Sequence, residues 1–309
     1  MDSQPLEFSS TRVTLDEAFD YCGRITNSHY ENFPVASLFL PKDKRPFVQV
    51  IYAFSRMADD MADEQVRPVA ERLADLDIWE DNLNRCYQGD AHHPVFIALA
   101  DTVSRLDIPK ELLLNLLTAF RRDVLQQRYE TFEDLLSYCA CSANPVGRIV
   151  LTIFGYRDEK LFLLSDKICT ALQLTNFWQD VAIDRDKSRL YIPIDDCTSH
   201  GYSIEQWRNG RVDDNFQRLM KFETERTRDL FYGGAELPFI VDKDLQLELK
   251  LIWFGGMSIL KKLERNKFDM FANRPALSSW DKMSILFRGL FSNNLRRPKK
   301  KGEPWDLTR

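Results

Sequence analysis

The sequence predicts an all-α fold, a single large helical bundle with a central cavity. Helical periodicity dominates from about residue 14 to residue 291, whereas the alternating pattern of a half-buried strand is nearly absent. Several segments, such as KELLLNLLTAF at 110–120, are apolar on more than one side, which is typical of helices packed inside a large bundle. Two helices also carry one narrow polar row on an otherwise apolar surface, which indicates a lined cavity.

The predicted helices follow one another with short connections. Residues 14–17 (TLDE) have the form of a capping box, so the first helix should begin at Thr14 and run to about Thr26. Three prolines between residues 34 and 46 then break the chain before a long helix that begins at Phe47. Further helices are predicted over 69–88, 94–105, 109–128, 131–143, 146–154, 158–183, 203–231 and 243–269.

We expect one helical domain from residue 14 to residue 292, between an N-terminal tail (1–13) and a C-terminal tail (293–309). No repeat of fixed period and no low-complexity linker divides the chain, and 309 residues can bury a sizeable core. The C-terminal tail is basic. It is either a solvated tail or a segment attracted to an anionic membrane surface, through Arg296, Arg297, Lys299, Lys300 and Lys301.

Composition excludes several classes of function. The net charge of -5 argues against nucleic acid as a partner, because neutralising many phosphates needs a basic surface. No N-terminal apolar segment typical of a secretory signal occurs, so we expect a cytoplasmic protein with reduced cysteines, soluble or peripheral at the inner membrane surface. The sequence contains no P-loop, no G-x-G-x-x-G motif and no Ser/His/Asp pattern. The oligomeric state stays open.

The first polar row lies in YAFSRMADDMADE (52–64). Wound as a helix, Tyr52, Arg56, Asp59, Asp60 and Asp63 fall within an arc of about 100°, and apolar residues cover the remainder. Carboxylates on an otherwise apolar helix repel one another and lose hydration, so a positive partner is expected beside them.

The second polar row lies in LQLTNFWQDVAID (172–184). Gln173, Asn176, Asp180 and Asp184 share an arc of about 80° on a helix that is otherwise apolar. A lone pair of carboxylates at this spacing would be a solvated face, but two such rows on apolar helices favour a binding site.

Magnesium bound to a diphosphate is the partner that fits these rows best. Mg²⁺ prefers hard oxygen ligands and is commonly held by one or two carboxylates while substrate phosphates supply further ligands. Arg56 and Arg189 are candidates to contact the phosphates, with Arg185 and Lys187 as weaker candidates. A cation left after diphosphate departure would need a dry pocket and aromatic faces, for which the candidates are Phe33, Tyr52, Tyr138, Phe177 and Trp178.

These motifs resemble the squalene/phytoene synthase family, the head-to-head branch of the class I isoprenoid synthases, over about residues 14–290. The resemblance implies an all-helical fold, Mg²⁺ as cofactor, a prenyl diphosphate substrate, and metal ligation by Asp59, Asp63, Asn176, Asp180 and Asp184. It places Tyr138, Tyr52 and Arg56 in catalysis. It also implies substrate contacts for His29, Phe33, Tyr52, Arg56, Tyr138, Gln173, Asn176, Arg189 and Tyr191.

Among the branches of this family, ENFPVAS, SANPVGR and NFWQDV resemble the bacterial hydroxysqualene synthases of hopanoid biosynthesis. Those enzymes ionise presqualene diphosphate, rearrange the cation and quench it with water. Gln179 stands where synthases that condense two prenyl diphosphates usually carry an arginine. This departure suits an enzyme that carries out only the second of the two diphosphate ionisations. Alternatively, it is a silent change on the back of the helix.

Three alternatives remain open from the sequence. A condensing synthase would join two farnesyl or geranylgeranyl diphosphates to presqualene diphosphate, dehydrosqualene or phytoene. A reductive squalene synthase would quench the cation with a nicotinamide hydride. A noncatalytic helical assembly factor would be expected to have lost its carboxylates, because no metal offsets the cost of burying them.

Overall fold

The computed structural model describes residues 13–28, 40–64 and 66–295, and the regular elements within these ranges are helices, which confirms the all-α prediction. They are α1 (Leu15–Ser28), α2 (Arg45–Asp63), α3 (Val69–Tyr87), α4 (Pro94–Leu106), α5 (Lys110–Leu125), α6 (Phe132–Ser142), α7 (Asn144–Ile153), α8 (Glu159–Gln179), α9 (Val181–Asp186), α10 (Ile194–Ser199), α11 (Ile204–Arg208), α12 (Asp214–Gly233), α13 (Leu237–Ile240), α14 (Lys243–Arg265) and α15 (Ser279–Phe291).

The predicted start of α1 is confirmed in detail. The Glu17 amide donates to the Thr14 hydroxyl at 3.3 Å, and the Glu17 carboxylate accepts from the Thr14 amide at 2.8 Å. Both bonds satisfy donors that the first turn of a helix leaves without an intrahelical partner.

The prediction of one helix over 203–231 was wrong. The chain ends α11 at Arg208, turns through Gly210 at a φ of 61°, and starts α12 after Asp213. The Asp213 carboxylate accepts from the amides of Asn215 and Phe216, both at 3.1 Å, and this cap fixes the new helix start. The short helices α10 and α13 and the final helix α15 have no counterpart among the predicted ranges.

The chain divides into two compact units, Met1–Leu125 with Thr152–Gly155 and Gln126–Leu151 with Tyr156–Arg309. In the first unit, α2 packs against α1, α3, α4 and α5. Phe54 on α2 lies in the aromatic core of this unit, with ring centroids 6.0 Å from both Trp79 and Phe96. The helix that carries the first acidic row is therefore the central helix of its unit.

In the second unit the central helix is α8, which packs against α6, α9, α12, α13 and α14. Trp178 on α8 is fully buried, and its indole Nε1 donates to the Thr227 hydroxyl on α12 at 2.8 Å. The second acidic row thus also begins on the central helix of its unit. The expectation of a single domain over 14–292 stays a prediction.

Some of the residues singled out in the sequence lie outside the described ranges. His29, Phe33 and the basic segment from Arg296 onward belong to this group. Among the described residues, no helix is long and apolar enough to cross a membrane.

Candidate active site

The first acidic row lies on the half-buried side of α2. Tyr52, Arg56, Asp59 and Asp63 are half-buried, whereas Ile51, Ala53, Phe54, Ala58 and Ala62 on the other sides of the helix are buried. Arg56 Nη2 contacts the Asp60 carboxylate at 2.6 Å, and Arg56 Nη1 lies 3.5 Å from Asp59. The structure therefore brings Arg56 and the aspartates together within one helix, as their spacing predicts.

The ionisation of Asp59, a carboxylate of this row, is disturbed by its surroundings. Burial, together with the negative charges of Asp63, Asp123 and Asp60, raises the pKa of Asp59 to about 7, although Arg56 acts in the opposite direction. A nearby cation would favour the ionised form of such a carboxyl group. Asp123, on α5, is a neighbour of the row that sequence reasoning did not identify, because it lies on a separate helix.

The second acidic row follows the C-terminal end of α8. Gln173 and Asn176 are half-buried between residues that are buried, including Leu174, Thr175 and Phe177. The helix was predicted to continue to residue 183, but α8 ends at Gln179 and α9 begins at Val181. Two backbone bonds, Asp180 to Asn176 at 2.9 Å and Asp184 to Asp180 at 2.8 Å, keep the i, i+4 spacing across this break.

Arg274 is a residue of this site that sequence reasoning missed. It lies in the connection between α14 and α15, and its Nε and Nη2 donate to the two carboxylate oxygens of Asp180, the latter bond at 3.2 Å. In the sequence Arg274 is followed by a proline outside the predicted helices, and this pair alone does not indicate a contact with Asp180. Binding of a metal by Asp180 therefore requires Arg274 to share or release a carboxylate oxygen.

Gln179, the residue that departs from the pattern of condensing synthases, supports the same connection. It is 1% exposed, and its Nε2 donates to the backbone carbonyl of Pro275, next to Arg274. Gln179 and Asp180 together hold the 274–275 segment against the end of α8. The Gln179 side chain is therefore part of a buried contact with the connection between α14 and α15.

The segment after α9 returns the chain toward the site residues. The Arg189 amide donates to the Asp184 carbonyl at 2.7 Å, and the Arg189 side chain is largely buried, with the residue 8% exposed. Arg185 instead pairs with Asp186 at 3.0 Å and stacks on Phe271, at 5.0 Å from the ring centroid.

An aromatic cluster forms in the second unit around three residues named in the sequence analysis. Tyr191 stacks on Phe177 with ring centroids 3.7 Å apart and an interplanar angle of 8°, and Tyr138 lies 5.9 Å from Phe177 and 6.0 Å from Tyr191. Tyr129, which sequence reasoning missed, lies 5.6 Å from Tyr138 and 5.8 Å from Tyr191. Phe177 directly follows Asn176 on α8, so the cluster adjoins the acidic row.

Trp178, by contrast, belongs to the core of its unit. Its bond to Thr227 and its complete burial explain its presence without any role in binding a cation. Tyr52 is half-buried on α2 with the first row. Of the five aromatic candidates, the structure thus assembles Tyr138 and Phe177 into one cluster.

The donor set of both rows fits Mg²⁺. Asp59, Asp63, Asp180, Asp184 and Asn176 offer the hard oxygen atoms that this ion prefers. Burial, and after it the neighbouring carboxylates, raises the pKa of Asp59, and a bound cation would favour its ionised form. Within the described residues, no three His, Cys, Asp or Glu side chains converge as a ready-made metal site. Mg²⁺ does not need such a cage, because waters and substrate phosphates commonly complete its coordination.

Sequence comparison assigns the chain to a known protein family. A family model for "Squalene/phytoene synthase" matches residues 26–281. The chain is 29% identical over 297 residues to 15-cis-phytoene synthase from Synechococcus elongatus, which covers 91% of this chain and 95% of that protein. It is 28% identical over 289 residues to phytoene synthase from Arthrospira platensis, covering 89% and 93%.

Comparison with solved structures agrees with this assignment. Squalene synthase HpnC from Alicyclobacillus acidocaldarius is similar with a TM-score of 0.78 and 41% identity, over 82% of this chain and 95% of that chain. A dehydrosqualene synthase solved with a ligand is similar with a TM-score of 0.81 and 25% identity, over 89% and 96%.

Proposed function

Because the chain belongs to the squalene/phytoene synthase family, we propose that it is a Mg²⁺-dependent enzyme that converts presqualene diphosphate to hydroxysqualene. The observation that carries the proposal is the juxtaposition in the second unit, where a half-buried carboxamide and carboxylate row adjoins a stacked aromatic cluster. Diphosphate ionisation needs both parts, since one binds the leaving group and the other faces the cation.

Each side chain has a distinct role in this proposal. Asp59, Asp63, Asn176, Asp180 and Asp184 would hold the metal ions. When bound, Mg²⁺ supplies positive charge that stabilises the departing diphosphate. Arg56, Gln173 and Arg189 donate hydrogen bonds to phosphate oxygens and orient the leaving group. His29 and Phe33 are proposed as further substrate contacts.

The aromatic cluster would guide the reaction after ionisation. The faces of Tyr138, Phe177 and Tyr191 present negative π density to a developing carbocation, and their burial keeps bulk water away until rearrangement is complete. Tyr52 lines the substrate in the first unit. The oxygen of a single water then bonds to the rearranged cation, and loss of one proton to the released diphosphate or to solvent gives the alcohol.

The choice of presqualene diphosphate rests on two observations. Identity to squalene synthase HpnC is 41%, compared with 29% and 26% for the 15-cis-phytoene synthases of Synechococcus elongatus and Synechocystis. Gln179 replaces the arginine of condensing enzymes and donates its amide to Pro275, so it adds no cation for a second diphosphate. Condensation of two farnesyl or geranylgeranyl diphosphates is the alternative, and the phytoene synthase relatives favour it.

Product analysis with defined substrates tests the proposal. Purified protein is incubated with presqualene diphosphate, farnesyl diphosphate or geranylgeranyl diphosphate, with Mg²⁺ or with chelator, in water enriched in ¹⁸O. We expect hydroxysqualene carrying one ¹⁸O atom from presqualene diphosphate, only with Mg²⁺ and without a nicotinamide. Product from farnesyl or geranylgeranyl diphosphate alone would establish the condensing alternative, and unlabelled squalene that requires reductant would establish a reductive synthase.

A further inference from the structure

The final helix of the described chain, α15, carries an apolar face that no other described helix covers. Trp280, Met283, Phe287, Leu290 and Phe291 are 79%, 55%, 64%, 57% and 67% exposed, respectively. At 100° per residue these five side chains fall on one arc of about 100°. Large apolar side chains scattered singly over a surface are normal, but a contiguous face of this kind marks an interaction site.

The opposite side of α15 is firmly attached to the second unit. Ile285 is buried, and Gly289 lies so close to α14 that an added Cβ would meet the side chains of Leu247 and Leu251. Asp281 pairs with Lys262 of α14 at 2.7 Å. The helix therefore has a defined inner side and presents the apolar arc outward as a fixed surface.

Positive charge borders the apolar face. Lys282 and Arg288 are exposed on α15, and the Arg288 guanidinium lies over the Phe254 ring at 4.2 Å. Shortly after the end of α15 the sequence continues as RRPKKKGEPWDLTR (296–309), with six Lys and Arg against two Asp and Glu. The acidic Asp281 is balanced by Lys262. Such charge is complementary to anionic lipid headgroups.

We propose that α15 docks this protein onto an anionic lipid surface, with its apolar face inserted at the headgroup boundary and the following basic segment drawn to the headgroups. Interfacial helices combine an apolar face with Lys and Arg beside it, and tryptophan is enriched at the boundary between membrane and water. A second copy of the chain fits less well, because a stable dimer buries about 800 Å² per partner over roughly 20–30 residues a side. Five side chains on one helix provide a smaller interface than this. This surface is independent of the proposed reaction.

Vesicle binding by the full chain tests the proposal. The protein is sedimented with vesicles of phosphatidylcholine, alone or with about one-third phosphatidylglycerol, and with Phe287→Glu/Phe291→Glu as the variant. We expect wild-type binding to the anionic vesicles and a loss of at least about tenfold in the variant, since each buried phenylalanine contributes that order of affinity. The matched control is Ile78→Glu/Leu163→Glu, two residues that are 60% and 53% exposed elsewhere, and it should bind as wild type.

Removal of residues 296–309 tests whether the C-terminal tail, and not a lipid surface, occupies this face. We expect the truncated chain to lose its preference for anionic vesicles, whereas stronger vesicle binding would mean that the tail covers α15 and would overturn the proposal. Wild type that ignores both vesicles, or a Phe287→Glu/Phe291→Glu variant that binds unchanged, also overturns it. So does a dimer that this variant dissociates without any vesicle binding. Circular dichroism checks folding, and Trp280→Ser replaces the double variant if that variant unfolds.

Discussion

At the scale of single residues, the two acidic rows hold their carboxylates in different ways. Burial and neighbouring like charges raise the pKa of Asp59, whereas both oxygens of Asp180 accept hydrogen bonds from Arg274. A cation at Asp59 relieves repulsion, but a cation at Asp180 competes with a guanidinium. In the proposed enzyme, Arg274 is therefore the residue whose movement would couple metal binding at α8 to the 274–275 segment.

His93 gives a pH-dependent contribution to stability. Its Nδ1 accepts from the Val95 amide at 3.2 Å and caps α4, while burial lowers its pKa to about 4. The unfolded chain takes up this proton near pH 6.5. The contribution is therefore complete above pH 6.5 and is lost as the pH falls toward 4.

We predict that wild type loses about 1–2 kcal/mol more unfolding free energy than His93→Asn between pH 7 and pH 5. Asparagine can cap the helix but does not titrate. Urea unfolding at each pH measures the difference. Equal slopes for wild type and His93→Asn would refute this role for His93.

At the scale of elements, helix ends were harder to predict than helix interiors. The capping box at Thr14 is a local signal, so the start of α1 could be predicted from four residues. The break at Asp180 has no such signal, since the LTNFWQDVAI segment keeps an uninterrupted helical pattern. The break coincides with the contacts of Gln179 and Asp180 to residues 274–275, which lie about 95 positions away in sequence.

Two glycines in helices should respond oppositely to alanine. A Cβ at Gly256 of α14 would overlap the Phe231 ring, whereas a Cβ at Gly23 of α1 would have its nearest neighbour, the Gln49 side chain, at 3.6 Å. We predict that Gly256→Ala lowers the free energy of unfolding by about 1–3 kcal/mol. Gly23→Ala should raise it by about 0.5–1 kcal/mol, because alanine loses less entropy in a helix. Thermal unfolding of both variants measures these changes. Changes in unfolding free energy of the same sign for both variants would contradict the packing described.

A buried ionic cluster ties α12 to α10 and α6. Arg226 contacts the fully buried Glu223 and also Asp196 of α10, both at 2.6 Å, and its guanidinium lies 3.5 Å over the Phe132 ring. Removing the guanidinium would leave a buried carboxylate without its partner.

We predict that Arg226→Leu costs about 3–5 kcal/mol of unfolding free energy. The matched variant on the same helix, Arg228→Leu, breaks a more exposed pair with Glu264 and should cost less than about 1 kcal/mol. Denaturant unfolding compares the two. Similar losses for both variants would show that the buried cluster stabilises the fold no more than the exposed pair does.

At the scale of the whole molecule, the sequence was sufficient for the fold class and for the two acidic rows. Both follow from helical periodicity, although the second row crosses the break between α8 and α9, and α2 and α8 are each the central helix of their unit. Tyr191 was named by the family resemblance alone and Tyr129 was missed, because both join Tyr138 and Phe177 only through the path of the chain after α9 and after α5. Arg274 likewise reaches Asp180 from a loop. Such partners depend on tertiary packing, which no local pattern encodes.

The most direct test of the proposed metal-dependent ionisation is the release of inorganic diphosphate from presqualene diphosphate in a single turnover. We predict release by wild type only with Mg²⁺, and a loss of at least about a hundredfold in Asp63→Asn and in Asp180→Asn, with both variants folded. Asp186→Asn, a change at an exposed carboxylate next to the second row, should release diphosphate at the wild-type rate. Release by wild type in chelator, or an unchanged rate in either Asp63→Asn or Asp180→Asn, would contradict this mechanism.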